Sequence, residues 1–327
     1  MRAVCMKEFG GPEVLYLGEA PDPKPGPGEL LVRVRATALN RADLLQRRGL
    51  YPPPPGASEV LGLEMAGEVA AVAPGVQGWR EGDRVCALLP GGGYAEYAVI
   101  PAGMAMRLPD GMTFEQGAAI PEVFLTAYLN LFWLGRMQAG DRVLVHAGGS
   151  GVGTAAIQIV REAGSVGWTT AGSKEKLERC LALGARAGWN YHDGPFDGWI
   201  REQTDGRGVD IILDFIGAPY FAANIRSLAV DGRLILVGTM GGAKVDGVDL
   251  GVLLGRRLQV IGTALRSRSV VEKMRLTQEF WTWACARFAD GRLVTVIDSV
   301  LDWRDVADAH RYMEENRNFG KIVLRVS

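Results

Sequence analysis

Residues 141–164, DRVLVHAGGSGVGTAAIQIVREAG, constrain the fold more tightly than any other stretch of this chain. An apolar run reads as a short buried strand, a cluster of glycines closes it, and a helical pattern starts at once. Gly148, Gly149, Gly151 and Gly153 between a strand and a helix have a physical use. Glycine allows a tight turn with positive φ, and it removes the Cβ that would hold a pyrophosphate away from the backbone. The free N–H groups and dipole of the helix start attract that pyrophosphate. Gly151, Val152, Gly153 and Ala156 fit GxGxxA, a weak signal alone and a strong one in a strand–turn–helix setting. A glycine-rich turn without a ligand is the bland alternative.

The setting is present. From residue 120 to about 262, strand and helix alternate: RVLVHA, SVGWTTAG, AGWNY, VDIILDFIG, GRLILVG and RLQVIGTAL are six short apolar runs. GTAAIQIVREA, KEKLERCLALG and YFAANIRSLAV read as helices between them. Such alternation calls for a doubly wound, six-stranded parallel sheet covered on both faces. Residues 1 to about 118 differ, with short β-type runs and turn signals such as PDPKPGPGE and YPPPPGAS, a mainly antiparallel region. The tail is strand, helix, strand, with Asp302 as an N-cap, and is expected to return to the first domain. At 327 residues two domains are the better reading. The change of rhythm places the α/β domain at 120–263 and the β domain at 1–119 with 264–327.

Composition excludes several classes. A net charge of −1 without charge runs gives no nucleic-acid tail or polybasic membrane patch. Cys5, Cys86, Cys180 and Cys285 form no CxxC pair, so they read as reduced thiols and neither as a zinc ribbon nor as a disulfide framework. No leader is expected, and no apolar run reaches the roughly 18–20 residues that span a bilayer. The expectation is a soluble cytoplasmic protein.

The second strand bears on which dinucleotide is bound. An NAD site usually carries an acid about 20 residues beyond the glycines. Here TTAGSKEKLE supplies Gly172 and Ser173, then Lys174 and Lys176, so a hydroxyl and two cations stand where a 2′-phosphate would need them. The expected cofactor is NADPH. An ordinary solvated helix start is the alternative, against the dipole preference.

The segments ALNRADLLQRRGLYPPPPGASEVLGLEMAGEV, GDRVCALLPGGGYAEY, AAIPEVFLTAY, HAGGSGVGTAAIQ, GRLILVGTMGG and TALRSRS together resemble the medium-chain dehydrogenase/reductase superfamily, in its zinc-independent quinone oxidoreductase branch. The resemblance runs over essentially the whole chain. It implies a GroES-like β domain beside a Rossmann domain, with the active site in the cleft between them, and a homodimer. It implies an NADPH:quinone reductase working by hydride or one-electron transfer. By matching position, Ser150, Gly151, Val152 and Gly153 line the pyrophosphate. Gly172, Ser173, Lys176 and Tyr191 surround the adenosine phosphate. Thr126, Ala127, Gly238, Thr239, Met240, Gly241, Leu265, Arg266 and Ser267 follow the nicotinamide half, with Lys321 returning towards the cofactor. Asn40 and Tyr51 face the substrate. Tyr51 is the one proton donor to nominate, and Asn40, Tyr51 and Arg266 each have a bland rival as turn, loop or surface residues.

Zinc-dependent relatives use a Cys and a Gly-His-Glu segment where this chain has Asn40 and Leu63, and neither side chain can replace a thiolate or imidazole. Only three histidines exist, His146, His192 and His310. One departure is the bulk of Trp168 and Trp189 around the second and third strands. Two other functions share these features: an enoyl or enone reductase, and a non-catalytic NADPH-binding relative with a structural or RNA-binding role.

Overall fold

The computed structural model describes all 327 residues, in two compact units: Met1–Leu125 with Arg266–Ser327, and Thr126–Leu265. The first unit opens with an antiparallel pair, β1 (Arg2–Met6) and β2 (Leu15–Glu19). Then come β3 (Glu29–Ala38), α1 (Arg41–Arg47), β4 (Glu64–Val72), β5 (Arg84–Leu88), β6 (Tyr97–Pro101) and β7 (Met106–Arg107). Two helices follow, α2 (Phe114–Ala118) and α3 (Pro121–Tyr128).

The second unit alternates strand and helix: β8 (Arg142–Val145), α4 (Gly151–Glu162), β9 (Val166–Ala171), α5 (Lys174–Ala182), β10 (Ala187–Asn190) and α6 (Asp197–Gln203). It continues with β11 (Val209–Asp214), α7 (Ala218–Ser227), β12 (Leu228–Leu236), α8 (Leu250–Gly255) and β13 (Gln259–Gly262). The chain then rejoins the first unit through α9 (Val270–Ala289), β14 (Ile297–Asp302), α10 (Val306–Glu314) and β15 (Lys321–Arg325).

The six strands of the second unit are all parallel, in the order β10-β9-β8-β11-β12-β13. The order reverses between β8 and β11, the switch point at which doubly wound sheets open a crevice. Val143, Leu144 and Val145 are all fully buried, because helices cover both faces and each strand must be apolar throughout. Trp168 belongs to this core, with Leu144, Phe196 and Ile212, so its bulk is absorbed below the strand ends.

In the first unit a seven-stranded sheet runs β14-β15-β3-β4-β5-β7, with β6 also on β3; every pairing except β14–β15 is antiparallel. The tail thus adds β15 directly to β3. The 20-residue α9 is an element that the sequence reading does not anticipate. Ser269 and Glu272 form its capping box, and Leu276, Phe280, Ala284 and Phe288 bury one stripe, Phe280 and Phe288 lying 6.2 and 5.0 Å from Phe124.

Candidate functional site

In the second unit, most of the expected cofactor residues lie where parallel strands end. The loop between β8 and α4 is held by its own atoms: Ser150 Oγ accepts the Gly153 N–H at 3.0 Å and caps α4. None of Gly148, Gly149, Gly151 and Gly153 has positive φ; the left-handed residue is Ala147, at φ 50. The expectation that these glycines supply the turn is therefore corrected. What glycine supplies is proximity. A Cβ on Gly153 would stand 2.3 Å from the Ala147 carbonyl oxygen, and one on Gly148 2.0 Å from Thr169 Oγ1.

At the end of β9, Ser173 Oγ accepts the Lys176 N–H at 3.2 Å and caps α5. Tyr191, just past β10, lies over Gly172: a Cβ there would sit 2.2 Å from the Tyr191 hydroxyl. Gly172, Ser173, Lys176 and Tyr191 are thus brought together. Lys174 points to solvent and reaches Glu178 at 3.8 Å. Past β12, Gly238, Thr239, Met240 and Gly241 fold onto the end of β11: the N–H groups of 238, 240 and 241 donate to the carbonyls of Asp214, Phe215 and Ile216. Leu265 is buried past β13, and Thr126 and Ala127 are buried on α3.

Beneath these loops runs a buried polar chain that the sequence reading misses. The Asn224 amide nitrogen donates to Asp214 at 3.0 Å, so Asn224 Oδ1 faces His146 Nε2 at 2.7 Å and accepts its proton. His146 Nδ1 then accepts from the Thr170 hydroxyl at 2.9 Å. Burial pushes His146 down to about 4, and the bond to Asn224 opposes this only in part. Asp214 also accepts the N–H groups of Ile216 and Gly217. Burial still raises its carboxyl to about 6. A neutral imidazole and a carboxylate thus tie β8, β9, β11 and α7 together at the switch point. His146 beside a glycine cluster, with Asp214 closing VDIILD, is the only sequence signal for it.

The first unit holds a second buried cluster. Asn40 caps α1 and is the expected substrate-facing residue, yet its amide is committed. Nδ2 donates to Glu64 at 2.8 Å, and Oδ1 accepts from Lys321 Nζ at 2.7 Å. Lys321, expected along the cofactor, spends its donors on the Leu39 carbonyl (2.6 Å), Asn40 and Glu64 (2.8 Å), all within this unit. Its place is to hold Asn40 and neutralise Glu64, which is fully buried. Glu64 also accepts the Glu122 backbone N–H at 2.8 Å.

Asp43 accepts N–H groups from Asn40 and Gly62 and the Tyr94 hydroxyl, and burial raises it to about 6. Behind Tyr94, Arg47 can only donate, so His310 Nδ1 accepts from it at 3.0 Å and Nε2 carries the proton towards Tyr94 at 3.4 Å. Burial, then Arg47, lowers His310 to about 3.

Tyr51 is half-buried, and its ring lies 5.0 Å from the Arg266 guanidinium. Arg266, expected beside the cofactor, is buried and directs its nitrogens to the Pro90 carbonyl, the Tyr51 carbonyl and Gln46. Burial, then the charge of Glu122, raises the Tyr51 hydroxyl above its usual value and makes it a weaker acid. Ser267 is exposed. No three His, Cys, Asp or Glu side chains group to hold a metal, and Leu63 is buried apolar core.

A GroES-like β unit with a doubly wound sheet, and loops of close-approach glycines at its switch point, define an oxidoreductase of the dinucleotide-fold class. Comparison with known proteins sharpens this. Residues 26–110 match the family described as alcohol dehydrogenase GroES-like domain, and residues 183–324 match that described as zinc-binding dehydrogenase. Quinone oxidoreductase of Rattus norvegicus is 32% identical over 327 residues, covering 99% of this chain and 97% of its own. The crystal structure of Escherichia coli quinone oxidoreductase complexed with NADPH superposes with a TM-score of 0.88 at 29% identity, over 99% of this chain and 100% of that one. An NAD-dependent alcohol dehydrogenase superposes with a TM-score of 0.87 at 36% identity, over 100% of both chains. The chain belongs to the medium-chain dehydrogenase/reductase superfamily.

Proposed function

We propose that this protein is an NADPH-dependent quinone reductase that works without zinc, as a cytoplasmic homodimer. The observation that carries the reading is the pair of cradles at the strand ends. At Gly148 and Gly153 a Cβ would collide with Thr169 Oγ1 and the Ala147 carbonyl, so glycine lets the loop fold tightly into the start of α4 and leaves that helix start uncovered by side chains. At Gly172 the Tyr191 hydroxyl, Ser173 and Lys176 gather where the second strand ends, with no acid among them. These residues fit a dinucleotide bearing a 2′-phosphate. Ser150, Gly151, Val152 and Gly153 hold the pyrophosphate, and Gly238 to Gly241 border the nicotinamide half. The quinone oxidoreductase relatives support the acceptor.

When bound, NADPH supplies a hydride. The chain's own residues orient and shield. The His146–Asn224–Asp214 chain fixes the two loops between which the strand order reverses. Tyr51 offers a half-buried aromatic face to a flat acceptor, and Arg266 stiffens it. A quinone is a ready acceptor, so no Lewis acid is needed, and Asn40 and Leu63 cannot supply the thiolate and imidazole of a zinc site. The four cysteines are free thiols, which suits a reducing compartment. The edge strand β13 leaves Gln259, Val260 and Gly262 exposed, an edge that suits pairing with a second copy.

The test is steady-state oxidation of NADPH and NADH with a panel of ortho- and para-quinones and an enone, alongside sedimentation for the dimer. The expected result is quinone turnover with NADPH preferred. Preference for NADH, or turnover of the enone alone, overturns the reading.

A further inference from the structure

A reduction by hydride leaves negative charge on the acceptor oxygen, and a buried site needs a proton there. Tyr51 is a poor source, because its surroundings make it a weaker acid than a free tyrosine. Asn40 is an amide with both ends committed. The cluster in the first unit contains three carboxylic acids, Asp43, Glu64 and Glu122, the last in the first turn of α3. Its backbone N–H is bound by the Glu64 carboxylate, so the two acids are neighbours. Its own carboxyl remains partly exposed and makes no hydrogen bond or ion pair in the protein. The other members are spent internally: Asp43 on the Asn40 and Gly62 N–H groups and the Tyr94 hydroxyl, Glu64 on Asn40, Lys321 and the Glu122 N–H, Arg266 on Pro90 and Gln46, Lys273 on the Arg266 carbonyl at 2.6 Å. A helix amino terminus ordinarily favours a carboxylate, but Glu64 already occupies this one.

Resting on the reductase reading, we propose that Glu122 is the acid that delivers the proton of the reduction. Its O–H bond breaks as a new O–H bond forms on the acceptor oxygen that has received the hydride's electron pair. The resulting carboxylate is reprotonated from solvent through the small part of Glu122 that stays exposed. NADPH and one proton are consumed for each two-electron reduction, so charge and atoms balance.

The groups facing Glu122 are Glu64 on β4, Asp43 on α1, Lys321 on β15, Lys273 on α9, Tyr51 and Arg266. Burial, then the charge of Glu64, pushes Glu122 up to about 8; Asp43 adds to this, and Lys321 and Arg266 oppose it. At neutral pH the group therefore holds a proton and has no internal acceptor for it, which matches a donor to its working pH.

The experiment compares the wild type with Glu122→Gln and Glu122→Asp. Infrared spectra of the protein alone, between pH 6 and 9, follow a protonated carboxyl band. NADPH affinity is read separately by fluorescence, and kcat for a quinone is measured against pH. The expected outcome is a band that titrates near pH 8 and vanishes in Glu122→Gln, with NADPH affinity within about twofold. In Glu122→Gln kcat falls by about 100-fold and its decline above pH 8 disappears; Glu122→Asp recovers part of the rate. No titrating band overturns the proposal, whatever happens to kcat. So does a Glu122→Gln variant that keeps the wild-type rate and pH profile. A wild type that shows the band but reduces no acceptor overturns the reductase reading and the delivery role with it, leaving only a protonated Glu122.

Discussion

The dinucleotide loops of the second unit and the polar cluster of the first are made of different materials. The loops are backbone: glycines in close approach, N–H groups and local caps such as Ser150 to Gly153 and Ser173 to Lys176. The cluster is side chains: Asn40, Asp43, Glu64, Glu122, Arg266 and Lys321 come from positions up to 281 residues apart. A backbone site is specified by a few consecutive residues. A side-chain site exists only once distant strands have paired. The first kind fails when a Cβ is added, the second when a charge is removed.

The sharpest way to break this contrast is Gly153→Val. With the Ala147 carbonyl 2.3 Å from the new Cβ, the loop must move, and NADPH affinity is expected to fall by about 100-fold or more, as a fluorescence titration would read. Retained affinity would mean that proximity is not what glycine supplies here.

Next in size is Glu64→Gln. It leaves Lys321 buried without its countercharge and is expected to cost about 3–5 kcal/mol in urea unfolding. The double variant with Lys321→Met should be less destabilised than the two singles added together, because neither charge is then stranded.

A third test uses pH. His146 is neutral in the fold at about 4, well below the roughly 6.5 of an unfolded histidine. The unfolded chain therefore binds more protons in that window, and stability falls as pH drops from 6.5 towards 4. His310, at about 3, adds in the same direction. Asp43 and Asp214, raised to about 6, and Glu122, raised to about 8, oppose it: the fold binds more protons than the unfolded chain between the usual carboxylate range and those values, so their part is lost as pH rises there. Thermal melts against pH should show a shallower acid slope in His146→Gln, whereas an unchanged slope would remove His146 from the account.

The smallest effect is expected from Lys176→Ala. The ratio of NADPH to NADH affinity should fall by about tenfold with NADH binding unchanged, the worth of one charge-assisted phosphate contact. Equal losses for both nucleotides would place the lysine elsewhere than at the 2′-phosphate.

Much of the fold is legible along the chain. Six apolar runs become six parallel strands, and the tail LDWRDVADAHRYMEE becomes a 3-10 turn capped by Asp302 that runs into α10, since each depends on a local period and local caps. α9 is legible in the same way: Ser269 with Glu272 is a capping box, and Leu276, Phe280 and Ala284 keep helical spacing. Arg266 and Lys321 show the opposite. The resemblance implies cofactor contacts for both, and the fold also gives each a partner within the protein, the Pro90 carbonyl and Glu64, that no local pattern announces. Glu122 stood in plain view in AAIPEVFLTAY as one acid in an apolar run. Nothing in that run said that Glu64 would lie beside it.

The sequence by itself determined the alternation, the glycine loop, the caps and the residue types at Asn40 and Leu63, because backbone dihedrals, Cβ sterics and ligand chemistry are properties of single residues and near neighbours. Only the tertiary structure decided which glycines serve by proximity, which tautomer His146 and His310 hold, and which acid keeps a proton. Those depend on burial and on charges brought close from distant parts of the chain, and desolvation has no value until the fold has removed the water.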